Sequence, residues 1–298
     1  MNVVIAERKH YFGRAGFPLA VTRVRAGEGH GASHSHDLTE VEHSHDFCEL
    51  VVVTHGRAFH VLEGTELPVA AGDVFLLQGF QRHYFHDRHD LELINVMYDP
   101  EKIGLPENDL RRMPGYCALF MLEPTYRLEH RFSSRLHLSP KALGGVERLV
   151  DRMEREASGA EPGFEVALRA GLMELIVYLS RAYVSAETVE AVSLLRIGDV
   201  IGALERDFAE TWRLEDLQKI AHMSRSSLMR VFRRATGQTP IEYLLHLRAK
   251  RAMELLRKSD LSITEIAFEV GFGDSNYFSR QFRRIVGISP RKFRAGEG

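Results

Sequence analysis

Residues 262–287 read SITEIAFEVGFGDSNYFSRQFRRIVG. Ile263, Ile266, Ala267 and Val270 recur at helical spacing as one apolar stripe. Gly271-Phe272-Gly273 breaks the pattern as a turn, and Asp274 or Ser275 offers an N-cap for the helix that follows. That helix is predicted to bury Phe278, Phe282 and Ile285 and to expose Asn276, Tyr277, Ser279, Arg280, Arg283 and Arg284. A short helix, a tight turn and a basic helix make a helix-turn-helix, whose second helix enters the major groove of DNA.

Upstream, LEDLQKIAHMSRSSLMRVFRRATG (214–237) repeats the pattern. Leu214, Leu217, Ile220 and Ala221 form the stripe, His222-Met223 the turn and Ser224 the N-cap. The helix beyond is predicted to bury Leu228, Val231 and Phe232 and to expose Arg225, Ser226, Ser227, Met229, Arg230, Arg233 and Arg234. The two basic helices start about 50 residues apart, joined by the helical run IEYLLHLRAKRAMELLRKS. Such a strut spans roughly 27 Å, which with turns and side chains approaches the roughly 34 Å of one DNA turn. Arg230 and Arg280 sit mid-helix, where a guanidinium reaches guanine. Asn276 suits adenine, and Ser226, Met229 and Ser279 suit base edges. Arg225, Arg233, Arg234, Arg283 and Arg284 are expected on phosphates. Solvation of an exposed helix face explains one such arginine row by itself; it explains two matched rows poorly.

Residues 196–294 resemble the DNA-binding domain of the AraC/XylS family over its full length, at Ala221, Ser224, Leu228, Phe232, Gly237, Pro240, Arg248, Ile266, Ala267, Gly271, Phe272, Phe278, Phe282, Gly287 and Pro290 among others. The resemblance implies an all-helical domain with two helix-turn-helix units, acting on promoter DNA as an activator alongside RNA polymerase. One departure is His222, where glycine is common; histidine tolerates a left-handed backbone better than most residues.

The first hundred residues read differently. FCELVVVTHG (47–56), RAFHVLEG (57–64), TELPVAAGDVFLLQG (65–79) and LELINVMY (91–98) read as strands closed by turns, with no helix between them, which predicts a β-sandwich or barrel. Thirteen of the fifteen histidines precede residue 140. Side chains two apart on a strand share a face, so His43, His45, Phe47, Glu49, Val51 and Val53 are predicted to point together. With His83 they make a set of three histidines and a carboxylate suited to Zn, Ni, Fe or Mn. The residues leave three readings open: a pocket that hydrogen-bonds a polar effector directly, a metal that helps hold it, or a structural remnant. Gln78 is a further pocket candidate, while the facing of Arg57, His60 and Tyr84 is undetermined. His30, His34 and His36 are expected in a solvated N-terminal loop. The stretch from His43 to Gly56 is similar to the first cupin motif. The second motif matches only in part, because Gln78, Phe80 and Asp87 stand where proline, glycine and asparagine are usual. Several of these stretches look like those of the L-rhamnose operon regulators, which implies a sugar-like effector.

The expected fold is therefore a two-domain α+β chain. It comprises a cupin-like β-barrel sensor (1–105), a helical linker and dimerisation segment (106–193) and a double helix-turn-helix domain (194–298). Residues 101–140, with four prolines, are expected as short helices and loops. One helix should open at Pro140, a break fall at 158–163, and a second helix occupy 164–183, either capping the barrel or pairing two chains as a homodimer; 184–193 reads as a linker. The charge follows this division: from Leu194 onward there are 19 Lys+Arg against 13 Asp+Glu, whereas the residues before hold 20 and 28, so only the C-terminal third invites a polyanion. Two cysteines, Cys48 and Cys117, argue against a disulfide framework. With no signal-peptide pattern and no long apolar run, a cytoplasmic protein away from membranes is expected. The sequence shows no catalytic constellation beyond the cupin cluster, so an effector-controlled regulator is expected rather than a metal-dependent enzyme; a ligand-independent regulator whose barrel only dimerises is the alternative.

Overall fold

The Val-, Leu- and Phe-rich runs pair into one eight-stranded sheet, seen in a computed structural model that describes residues 4–8, 11–12, 16–25, 40–128, 134–159, 161–185 and 187–296. His30, His34 and His36 lie outside these residues. The chain divides into two units, Met1–Leu195 and Arg196–Gly298. In the first, the strands are β1 (Val4–Ala6), β2 (Leu19–Val24), β3 (His43–His45), β4 (Cys48–Leu62), β5 (Thr65–Ala70), β6 (Asp73–Leu77), β7 (His83–Tyr98) and β8 (Leu136–His137). The antiparallel pair β4–β7 is the spine. β6 pairs with the first half of β4 and β5 with its second half, while β2 covers the second half of β7.

Three strand expectations change. Residues 47–56 and 57–64 are one strand, because Gly56 marks a bulge rather than an end. Its φ is +72°, and a Cβ there would meet Asp90 O at 2.2 Å. The β4–β7 register shifts between Val53 and Phe59, as an inserted residue requires. Residues 65–79 are two strands, parted at Gly72, whose φ is +99°. β7 begins at His83, not at residue 91. Val51, Val53, Ala58, Leu62, Leu67, Phe75, Phe85 and Leu93, drawn from both halves of the bent sheet, share one buried apolar core.

Short helical turns follow: α1 (Glu107–Leu110), α2 (Pro114–Tyr116), a π-helical turn (Cys117–Leu122) and α3 (Glu123–Tyr126). Arg127 ties them to the sheet, donating to Glu123 Oε2 at 2.5 Å and Leu76 O at 2.7 Å. α4 (Pro140–Gly159) and α5 (Phe164–Tyr183) then pack together through small residues. A Cβ on Gly145 would meet Tyr178 Oη at 2.3 Å, and one on Gly171 would meet Met153 Cγ at 2.7 Å. Leu168, Leu172, Leu175, Ile176 and Leu179 of α5 are buried within the chain, whereas Val166 is 68% exposed. Of the two roles expected for this helix, capping the barrel or pairing two chains, the burial of these leucines and Ile176 within the chain fits the first. The expected linker 184–193 is helical from Val189, where α6 (Val189–Arg206) begins.

The second unit is helical throughout: the rest of α6, then α7 (Leu214–Ala221), α8 (Arg225–Thr236), α9 (Pro240–Lys258), α10 (Ile263–Glu269), α11 (Ser275–Val286) and α12 (Pro290–Arg294). α8 and α11 each run twelve residues and end on a left-handed glycine, Gly237 or Gly287; each is followed two residues later by a capping Thr239 or Ser289 and a first-turn proline. Proline at the first helical position and glycine just past the last one fix each stop and start.

Candidate DNA interface and effector pocket

Each basic helix begins at a side-chain cap. Ser224 accepts from Ser227 N at 3.3 Å, and Asp274, rather than Ser275, accepts from Tyr277 N at 2.6 Å. The preceding turns use His222 at φ +49° and Gly271 at φ +87°, so histidine does take the left-handed position. Leu228, Val231 and Phe232 of α8 and Phe278 and Phe282 of α11 are buried; Ile285 is half-buried. The opposite faces carry Arg225, Ser226, Arg230, Arg233 and Arg234 on α8, and Asn276, Arg280, Arg283 and Arg284 on α11, all exposed. Met229 and Ser279 are half-buried at matching places. Residues 230, 233 and 234 recur as arginine at 280, 283 and 284. The charges of Arg233 and Arg284, one from each helix, both act on Glu242 at the start of α9. Its carboxyl is held below the usual range first by hydrogen bonding within its own cap with Thr239, and then by these two cations.

What sets the second helix-turn-helix was not legible in the motif. Arg248 of α9 is buried; it donates through Nε to Phe208 O and through Nη2 to Glu210 O, both at 2.7 Å, and lies 5.5 Å over the Phe272 ring. A Cβ on Gly271 would meet Ala209 O at 2.3 Å. The backbone at 208–210 therefore wedges against the second turn, with Arg248 as the clasp. Glu205 of α6 adds a second tie, accepting from Tyr243 Oη at 2.9 Å.

In the sheet unit, His43, His45, Glu49, His60 and His83 are each at most 1% exposed. The Nδ1 atoms of His43, His45 and His83 contact Val41 O at 3.1 Å, Phe47 O at 2.8 Å and Gln81 O at 3.1 Å. A carbonyl only accepts, so each Nδ1 carries a proton, which makes Nε2 the atom of each ring able to offer a lone pair to a metal or ligand. The Nε2 atoms of His45 and His83 lie 3.2 and 3.7 Å from Glu49 Oε2. Acceptors facing a carboxylate repel unless a cation or proton sits among them. Ligand atoms of His45, Glu49 and His83 all lie within 4.8 Å of one another, a two-histidine, one-carboxylate set that fits a divalent transition metal. His43 is outside that trio; its ring rests 4.2 Å from that of His83. Burial, followed by the neighbouring histidines, holds His83 well below its usual pKa.

Gln78 does not join the cluster: its amide donates to Phe120 O at 3.2 Å and secures the π-helical turn. Arg57 is exposed and Tyr84 half-buried, whereas His60 is inside. Burial, then the charge of Arg127, lowers the His60 pKa to about 3. The bulge explains its facing, since inward positions are Glu49, Val51 and Val53 before Gly56 but Ala58, His60 and Leu62 after it. Parity counted across an interior strand glycine loses one residue, and that glycine was the available signal. The contacts of Arg8, Tyr11 and Phe12 beside the site also carried no signal. Arg8 donates to Asp46 at 2.7 Å and pairs with Asp99, while Tyr11 and Phe12 rest on Phe47, which stacks on His45.

Comparison with known proteins matches residues 26–176 to the AraC-like ligand binding domain and residues 217–296 to a helix-turn-helix domain family. The HTH-type transcriptional activator RhaS of Escherichia fergusonii is 33% identical over 86% of this chain and 87% of its own. RhaR of an Enterobacter species, also an HTH-type transcriptional activator, is 31% identical over 85% of this chain and 86% of its own. The crystallised DNA-binding domain of AdpA in complex with a target DNA is 34% identical, covering 34% of this chain and 91% of that domain with a TM-score of 0.33. Both relatives are named as transcriptional activators, in line with the sequence reading of a DNA-binding regulator. Among the described residues, no helix is long and apolar enough to cross a membrane.

Proposed function

The chain belongs to the AraC family of DNA-binding transcription regulators, and on that premise we propose that it is a cytoplasmic activator whose two recognition helices read adjacent major-groove segments of a promoter under the control of a sugar-like effector. The observation that carries the DNA reading is the matched arginine rows at 230, 233, 234 and 280, 283, 284, exposed on helices with equivalent caps. In this reading Ser226, Met229, Arg230, Asn276, Ser279 and Arg280 meet base edges, and Arg225, Arg233, Arg234, Arg283 and Arg284 meet phosphates. The nineteen residues of α9 span about 28 Å, close to the separation that two successive major-groove segments demand. RNA polymerase and a second copy of the chain complete the set of partners.

The effector occupies the histidine cluster of the sheet unit, with hydroxyls as its natural partners; the likeness to L-rhamnose regulators favours a deoxyhexose. His45, Glu49 and His83 would hold a divalent metal, which supplies a Lewis-acidic anchor for a ligand oxygen when bound. The effector acts only through its different affinity for the two DNA-binding states of the chain. The experiment is binding of the full chain to DNA from upstream of neighbouring catabolic genes, with and without L-rhamnose and related sugars, alongside elemental analysis. Sugar-dependent affinity supports the reading. Affinity indifferent to every sugar favours the ligand-independent alternative, and metal retained after His45→Ala and His83→Ala removes the metal from the site.

A further inference from the structure

His60 has no place in the reading above, yet its surroundings are unusual. It is fully buried, and among the described residues neither ring nitrogen has a hydrogen-bond partner. Its ring is stacked between Phe75, at 5.0 Å and 24°, and Phe85, at 4.7 Å and 26°, so the two phenyl rings fix its plane. Beside it stands His83, with centroids 5.6 Å apart and the rings edge-on at 69°. A core position between two aromatic rings suits phenylalanine; an imidazole there strands one donor and one acceptor, which costs stability unless something polar answers them.

We infer that His60 is an effector-reading residue, held edge-on to the cluster so that its N–H donates to, and its bare nitrogen accepts from, hydroxyl groups of an uncharged polyhydroxylated ligand. The inference rests on the effector reading given above and adds to it the residue that reads the hydroxyls. A carboxylate presents only acceptors and would leave the ring's lone pair opposed; an ammonium presents only donors and would leave its N–H opposed. A hydroxyl serves either atom, and a polyol offers two of them. The charge of the neighbouring Arg127 is already balanced by Glu123, 2.5 Å away and equally buried, so an acid in that place would bring an unbalanced charge into the core. The phenyl walls supply apolar contact for the C–H groups of such a ligand while holding the imidazole rigid.

The test is His60→Phe in the full chain, with thermal melting measured alone and with L-rhamnose and a panel of neutral sugars. A merely structural histidine leaves the sugar-induced shift of the melting temperature intact on this change. A reading residue behaves in the opposite sense: the ligand-free melting temperature rises by about 2 °C or more, the sugar-induced shift of the natural protein disappears, and ligand-free DNA affinity stays the same. His60→Gln, which keeps one donor and one acceptor, is expected to retain part of the sugar shift, and serves if the phenylalanine variant fails to fold. A lower ligand-free melting temperature in His60→Phe, or a full sugar shift in it, overturns the inference and leaves the effector reading standing. A natural protein that responds to no neutral polyol but does respond to organic acids overturns the ligand class. One that responds to neither defeats both this inference and the effector reading beneath it.

Discussion

Replacing Arg248 with methionine isolates the clasp that sets one recognition helix against the other. The change keeps an unbranched stem in the same channel and removes only the guanidinium. Two hydrogen bonds from a charged group are lost, each at 2.7 Å and each worth about 1.5–3 kcal/mol. The contact over Phe272 adds about 0.5–1 kcal/mol. The accepting carbonyls belong to exposed Glu210 and half-buried Phe208, so water recovers part of the loss, leaving a destabilisation of about 2–4 kcal/mol. Because Phe208 and Glu210 flank the Ala209 backbone that braces Gly271, the loss falls on the placement of α11 more than on α8. Urea unfolding of the full chain measures the stability change. Fluorescence anisotropy on operators carrying both segments or the α8 segment alone measures its consequence. The two-segment advantage should shrink while single-segment affinity holds. A variant with undiminished stability and an intact two-segment advantage would refute the clasp.

Arg280→Ala should cost about 1–3 kcal/mol and relax preference at one base pair; competition against every single-base operator variant checks it, and unchanged preference removes Arg280 from base reading. Gly271→Ala forces a left-handed alanine onto Ala209 O at 2.3 Å and should destabilise by about 2 kcal/mol or more. Gly273→Ala, whose Cβ meets nothing within 4 Å, should cost about 1 kcal/mol or less; equal melting temperatures for the two would contradict the wedge. Acid should weaken the fold through His60. The unfolded ring binds a proton near 6.5, while the folded one stays neutral down to about 3. The unfolded chain therefore binds more protons between those values. Stability from this residue is complete above about pH 6.5 and declines toward about pH 3, by up to about 1.4 kcal/mol per pH unit. His83 acts in the same direction. His60→Phe should flatten the pH dependence of urea unfolding, and an unaltered slope would show that His60 does not carry it.

The C-terminal unit was legible almost residue by residue, because its determinants are local. Caps such as Ser224, turn formers such as Gly271 and apolar stripes on short helices act within a few positions of one another. The basic rows needed only helical periodicity. The sheet was less legible. Gly56 and Gly72 look alike in sequence, yet one bends a strand and the other ends one, and the difference lies in what approaches them: Asp90 in the first case, Leu138 and His137 in the second. His60 was ambiguous for the same reason, since the bulge at Gly56 inverts the facing of everything after it. Gln78 and His43 had the right chemistry for the cluster, but one side chain is turned to Phe120 O and the other stands beside the converging trio. Arg248 and Arg8 bind backbone or carboxylates some 38 residues away, a reach that no local pattern reports. On α5 the apolar periodicity predicted the burial of Leu168, Leu172, Leu175, Ile176 and Leu179 but not the exposure of Val166, and it left open whether the chain itself or a second copy covers that face.

Hydroxyl-radical footprinting of the full chain on its upstream operator tests the double docking of α8 and α11 most directly. Two protected patches on one face of the duplex, about 10 base pairs apart, are expected, with the patch read by α11 weakened in Arg280→Ala and the other unaffected. A single patch, or two on opposite faces, would contradict it.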